Sequence, residues 1–120
     1  MARVLAFVDD IFFQAKMLET AKQLGVELKC VTTSEALNGQ IQDQSPDLVI
    51  VDLNARAGGV EALEKLPPGN PVRVIAFLSH VQLELAERAR RAGCSEVMPR
   101  SKFTQNLASI FAQAKAAEKL

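Results

Sequence analysis

Three carboxylates in this 120-residue chain sit where carboxylates can do chemistry: Asp9, Asp10 and Asp52. Asp9 and Asp10 close the apolar run "LAFV" (5–8), and Asp52 closes "LVIV" (48–51). Acids gathered in one place repel one another unless a cation neutralises them or a pKa rises. A hard divalent ion such as Mg²⁺ favours an oxygen-rich, partly hydrated site of this kind. Taken one at a time, the same residues have plainer roles: Asp10 caps a helix, Asp9 is solvated and Asp52 begins a turn.

Which case holds depends on the elements that carry them. Apolar runs at 3–8, 26–31, 46–53, 72–78 and 95–99 read as strands, and "PDLVIVDL" (46–53) is continuous enough for a central strand covered on both faces. Between them lie helical patterns at 11–24, 34–42, 59–66 and 82–92, and a last helix carries Phe103, Leu107, Ile110, Phe111 and Ala114 on one stripe. Gly25 and Gly93 fall where helices end, Thr33 or Ser34 caps the second helix, and "PPGN" (67–70) stops the third. Glu84 and Arg88 are spaced for an i,i+4 pair.

Strands joined by helical crossovers run parallel with right-handed connections. The expectation is an α/β protein with a flavodoxin-like, doubly wound five-stranded parallel sheet of order 2-1-3-4-5 and five helices, one domain over residues 1–120. Ligands bind such sheets at the carboxyl ends of the strands, beside the switch between strands 1 and 3. Neighbouring strands lie ~4.8 Å apart, so Asp9, Asp10 and Asp52 are expected to meet in one crevice.

Composition narrows the function. Fourteen Lys and Arg balance fourteen Asp and Glu, which leaves no basic field for nucleic acid. No apolar stretch approaches the ~20 residues that span a bilayer, and "MARVLAFVDD" lacks a signal-peptide pattern. Cys30 and Cys94 have no metal-ligand spacing and read as small buried hydrophobes of a reducing compartment. A cytoplasmic protein without membrane, nucleic acid or small-molecule substrate is expected. The single histidine, His80, reads as an exposed loop residue. Of Phe12 and Phe13, one is expected to pack inward and the other to be available to a partner.

"VDD" after strand 1, "PDLVIVDLN" around strand 3 and "AERARRAGCSEVMPRSKF" leading through strand 5 resemble the receiver domain of bacterial response regulators over the whole chain. The resemblance implies a two-component signalling protein, not an enzyme, with Asp52 as phosphoacceptor. Asp10 would bind Mg²⁺ directly and Asp9 mainly through water, and the backbone carbonyl of Asn54 would add a ligand. Its partners would be a histidine kinase or phosphotransfer protein and a downstream protein, with output from a separate chain or a parent protein.

The departures from that family concern the other side of the pocket. The position of the usual Thr or Ser after strand 4 falls on Leu78, with Ser79 one residue later. The usual Lys falls on Arg100, its Pro on Ser101, and the aromatic of strand 5 on Val97. Arg100 keeps the charge as a planar fork and could clamp a phosphoryl oxygen or pair with Asp52. Ser79 could supply a hydroxyl if the backbone turned it inward. The alternative is a pseudo-receiver that binds partners without phosphorylation. An aspartyl phosphatase fits poorly, because Asp-Asp-Ile is not the Asp-x-Asp such enzymes use.

Overall fold

The computed structural model describes residues 1–67, 72–79 and 82–118. In chain order the elements are β1 (Arg3–Phe7), α1 (Ile11–Leu24), β2 (Glu27–Val31), α2 (Ser34–Gln44), β3 (Leu48–Asp52), α3 (Gly59–Glu64), β4 (Val74–Leu78), α4 (Leu83–Arg91), β5 (Glu96–Pro99), α5 (Arg100–Gln105) and α6 (Leu107–Glu118). The strands form one all-parallel sheet of order β2-β1-β3-β4-β5. The expected sheet and its order are present.

Alternation along the strands divides the core into two layers. Val4, Ala6, Val8, Leu48, Ile50, Ile75 and Phe77 pack with Phe13 and Met17 of α1, Phe103 of α5 and Ile110 and Phe111 of α6. Leu5, Phe7, Val49, Val51, Val74, Ala76 and Leu78 pack with α2, α3 and α4 through residues such as Leu37, Val60 and Ala89. All five residues of β3 and of β4 are buried, as two-sided cover requires.

Local signals act largely as the sequence implies. Thr33 Oγ1 accepts from the Ala36 N–H and caps α2. Gly25 closes α1 at φ 69°, in the left-handed region, with its N–H on helical carbonyls. Two expectations are revised. Arg88 turns away from Glu84 to Glu64 of the adjacent α3, Nη2 to Oε1 at 2.8 Å, because the packing of α3 against α4 presents a bidentate partner. The last helix is two, broken at Asn106, so the described residues hold six helices rather than five. The Asn106 side-chain amide donates to the Lys102 carbonyl at 2.8 Å, the local competition by which Asn interrupts a helical ladder.

Cys30 packs against the first layer and Cys94 against the second, and both are free thiols. Both are half-buried rather than buried as expected, and that partial burial raises both, Cys94 to about 11, which favours the thiol form at neutral pH. Among the described residues no helix is long and apolar enough to cross a membrane. His80 and residues 68–70 of "PPGN" lie outside the described residues.

Candidate functional site

β1 and β3 pair with Phe7 opposite Val51, which brings their carboxyl ends side by side. Asp10 is the N-cap of α1: its Oδ1 accepts from the Phe12 and Phe13 N–H groups at 3.0 and 3.1 Å. Asp9 Oδ2 accepts from the Arg56 backbone N–H at 2.9 Å, fastening the β3–α3 loop to the end of β1. Asp52 is only 3% exposed, and it is the one buried charged side chain among the described residues. Its Oδ1 accepts from the Asn54 N–H at 2.9 Å, a turn closed by the side chain of its own first residue.

That loop is made possible by Gly59. A Cβ there would collide with the Asp52 carbonyl oxygen and the Leu53 Cα, both backbone atoms with nowhere to go. Gly58 enters α3 at φ 85°, where a side chain is strained.

The opposite rim is built by β4 and β5. In the register Asp52 faces Phe77, and Leu78 faces Pro99. The strand period sends Phe77 to the α1 side with Asp52 and turns Leu78 to the α3–α4 side, where it is buried. Ser79 is exposed, and its backbone N–H donates to Asn54 Oδ1 at 2.7 Å. The Asn54 amide also donates to Gln82 Oε1 at 2.8 Å, just before α4. Val97, at the aromatic position of strand 5, is half-buried against the second layer.

Arg100, the first residue of α5, reaches back across the pocket. Its Nη2 lies 2.8 Å from Asp10 Oδ2. Its guanidinium carbon stands 4.4 Å from the centre of the Phe13 ring and 5.7 Å from that of Phe77. Phe77 in turn stacks on Phe103 at 4.7 Å and meets Phe13 edge-on at 5.3 Å. Ring faces attract a guanidinium, so Arg100 has an acid at one end and an aromatic floor beneath. Lys102 is exposed within α5, two residues further on.

The acids respond in opposite directions. Burial pushes the Asp52 carboxyl above its ordinary value; the Asn54 N–H and the Arg100 charge offset part of this, and Asp9 and Asp10 add to it. Asp10 is held below its ordinary value, first by the Phe13 N–H and then by Arg100. Arg100 brings a positive charge to these acids through its pair with Asp10.

The donors suit Mg²⁺ in kind: three carboxylates at adjacent strand ends, with the Asn54 carbonyl in the same turn. As they stand, both oxygens of Asp10 are engaged, and among the described residues no group of three or more His, Cys, Asp or Glu side chains is gathered to hold a metal ion. Arg100 Nη2 rests on Asp10 Oδ2, an oxygen a metal ion would use.

Two of the plainer roles are also filled, since Asp10 caps α1 and Asp52 begins a turn. What the sequence did not disclose is the pair of ties from Arg56 and Gln82, and the aromatic floor. An acid two residues before Asn54 does signal a side-chain turn. Nothing in the spacing of Phe13, Phe77 and Phe103 signals that their rings meet.

No protein-family model and no curated protein matches the sequence. Solved structures do match its fold. A response regulator receiver domain from Clostridium thermocellum superposes with TM-score 0.79 at 23% identity, covering 99% of this chain and 98% of that one. The chemotaxis response regulator CheY4 of Vibrio cholerae gives TM-score 0.79 at 17% identity, covering 95% of this chain and 98% of that one. NtrX from Brucella abortus gives TM-score 0.76 at 20% identity over 98% of this chain, which spans 27% of that longer chain. The chain has the fold these structures share, the receiver fold.

Proposed function

We propose that residues 1–120 form one receiver domain of a cytoplasmic two-component system, accepting a phosphoryl group on Asp52. The observation that carries this reading is Asp52 itself, an ionisable side chain kept in a buried position at the carboxyl end of β3 beside Asp9 and Asp10. A buried acid that only closed a turn would be better replaced by Asn, which avoids the desolvation cost.

In the proposed step an Asp52 carboxylate oxygen attacks the phosphorus of a phospho-histidine on a kinase or phosphotransfer partner. The P–O bond forms as the P–N bond breaks, and the leaving imidazole takes up a proton. Mg²⁺ held by Asp9, Asp10, Asp52 and the Asn54 carbonyl would offset the charge of the incoming phosphoryl oxygens. Arg100, freed from Asp10, has the planar fork to grip an anionic phosphoryl group. Ser79, tied through its N–H to Asn54, sits on the same rim. The signal would pass by protein–protein contact to a downstream partner.

The test is intact mass spectrometry after incubation with Mg²⁺ and a small phosphodonor such as acetyl phosphate. A single phosphoryl adduct, absent in Asp52→Asn, supports the reading; no adduct under any donor condition overturns it. A second reading, a pseudo-receiver that binds partners without phosphorylation, is favoured by buried Leu78 in the hydroxyl position. It predicts no adduct and a partner affinity unchanged in Asp52→Asn.

A further inference from the structure

We infer that Arg100 is a tethered cation that excludes divalent metal from Asp10, so that metal enters the acid pocket only when the guanidinium is expelled. This rests on the reading of the three acids as a metal site, and it concerns what regulates their occupancy.

The inference follows from counting the oxygens of Asp10. Oδ1 accepts two backbone N–H groups at the start of α1, and giving those up would uncap the helix. Oδ2 is the oxygen left for a metal, and Nη2 of Arg100 lies 2.8 Å from it. A divalent ion and a guanidinium brought against the same oxygen repel each other. Occupancy by one therefore disfavours the other.

Arg100 is also better held than a surface arginine. Its guanidinium carbon lies over the Phe13 ring, 4.4 Å from the centre, with the Phe77 ring at 5.7 Å. Those rings pack with Phe103, itself in α5, the helix that begins at Arg100. A solvent-exposed ion pair loses side-chain entropy on forming; here the aromatic floor has already restricted the chain. Equilibrium coupling is reciprocal. A metal that displaces Arg100 must loosen its seat on Phe13 and Phe77, and stabilising that seat must weaken the metal.

The probe is Mn²⁺, followed by the electron paramagnetic resonance of the free ion, since the chain has no Trp or Tyr to report by fluorescence. Arg100→Gln is expected to bind Mn²⁺ about ten-fold more tightly than wild type, the scale of one hydrogen bond to a charged group. Phe13→Leu keeps the charge, loosens its seat and should tighten binding about two-fold. It serves also if Arg100→Gln proves unstable. In wild type, the Arg100 side-chain N–H resonance should shift on saturation with diamagnetic Mg²⁺. Equal affinities in wild type and both variants would overturn the inference while leaving the metal site standing. Absence of binding in all three would overturn both. Tighter binding in the variants, lost again when Asp10→Asn is added, supports it.

Discussion

The two rims of the pocket are built from different chemistry. The ends of β1 and β3 carry three carboxylates, Asp9, Asp10 and Asp52. At the ends of β4 and β5, Leu78 and Val97 pack into the apolar second layer. The one strong group on that second rim, Arg100, spends its charge on the first. The rims are therefore not independent.

The comparison can be broken most decisively at Asp52. Asp52→Asn should abolish the phosphoryl adduct entirely by intact mass, and should also raise the melting temperature at neutral pH. Because burial holds Asp52 above its ordinary value, its charge opposes folding above that raised pKa. The penalty fades as pH falls from the raised value towards the ordinary one. The stability gap between wild type and Asp52→Asn should accordingly narrow on acidification, checked by thermal melts between neutral and acid pH. Asp10 runs the other way, held low by the Phe13 N–H and Arg100. Its contribution is complete above the ordinary carboxylate value and disappears as pH falls below it.

The next largest effect lies in the aromatic floor. Phe77→Ala should cost about 3–5 kcal/mol of stability, the usual penalty for emptying a buried Phe site, measured by urea unfolding. It should also release Arg100, so its adduct yield in the folded fraction tests whether the second rim helps or restrains the first. Gly59→Ala should cost about 1–3 kcal/mol through overpacking against the Asp52 backbone. A milder change, Leu78→Thr, puts a hydroxyl into the α3–α4 layer that Leu78 faces. It should lower stability by about 1–2 kcal/mol and leave adduct formation with a small phosphodonor unchanged. A faster rate would show that residue 78 can turn toward the acids. Smallest is Phe12→Ala. With Phe12 83% exposed on the acid rim, stability should move by less than about 0.5 kcal/mol. Any loss would then appear in transfer from a protein donor and not from a small one.

How far all this could be read from the chain varies by residue. The β3 run announced a central strand, and the alternation of strands with helical patterns fixed a parallel sheet, since hydrophobic period and crossover length are local properties. Phe13 and Phe12 were recognisable as an inward and an outward pair, although which was which depended on the cap at Asp10. The site was half legible for the same reason. Acids at strand ends can be placed from topology alone. The partner an arginine chooses cannot, because Arg100 and Asp10 are ninety residues apart in sequence and meet only through the packing of α5 over three rings. The break at Asn106 was hidden too, since Asn serves a helix surface and a helix end almost equally well.

One small feature has mechanical meaning. Asn54 carries three fastenings: its N–H to Asp52, its amide oxygen to Ser79 and its amide nitrogen to Gln82. A single side chain thus acts as a coupling rod between the loop that leaves β3 and the approach to α4. Any tug on the Asp52 carboxylate that moves Asn54 has to be absorbed at Ser79 and Gln82 as well. The linkage contains neither a hydroxyl nor a rotating ring. Its slack is set by two hydrogen bonds, and Asn54→Ala would uncouple the gears while leaving both wheels in place.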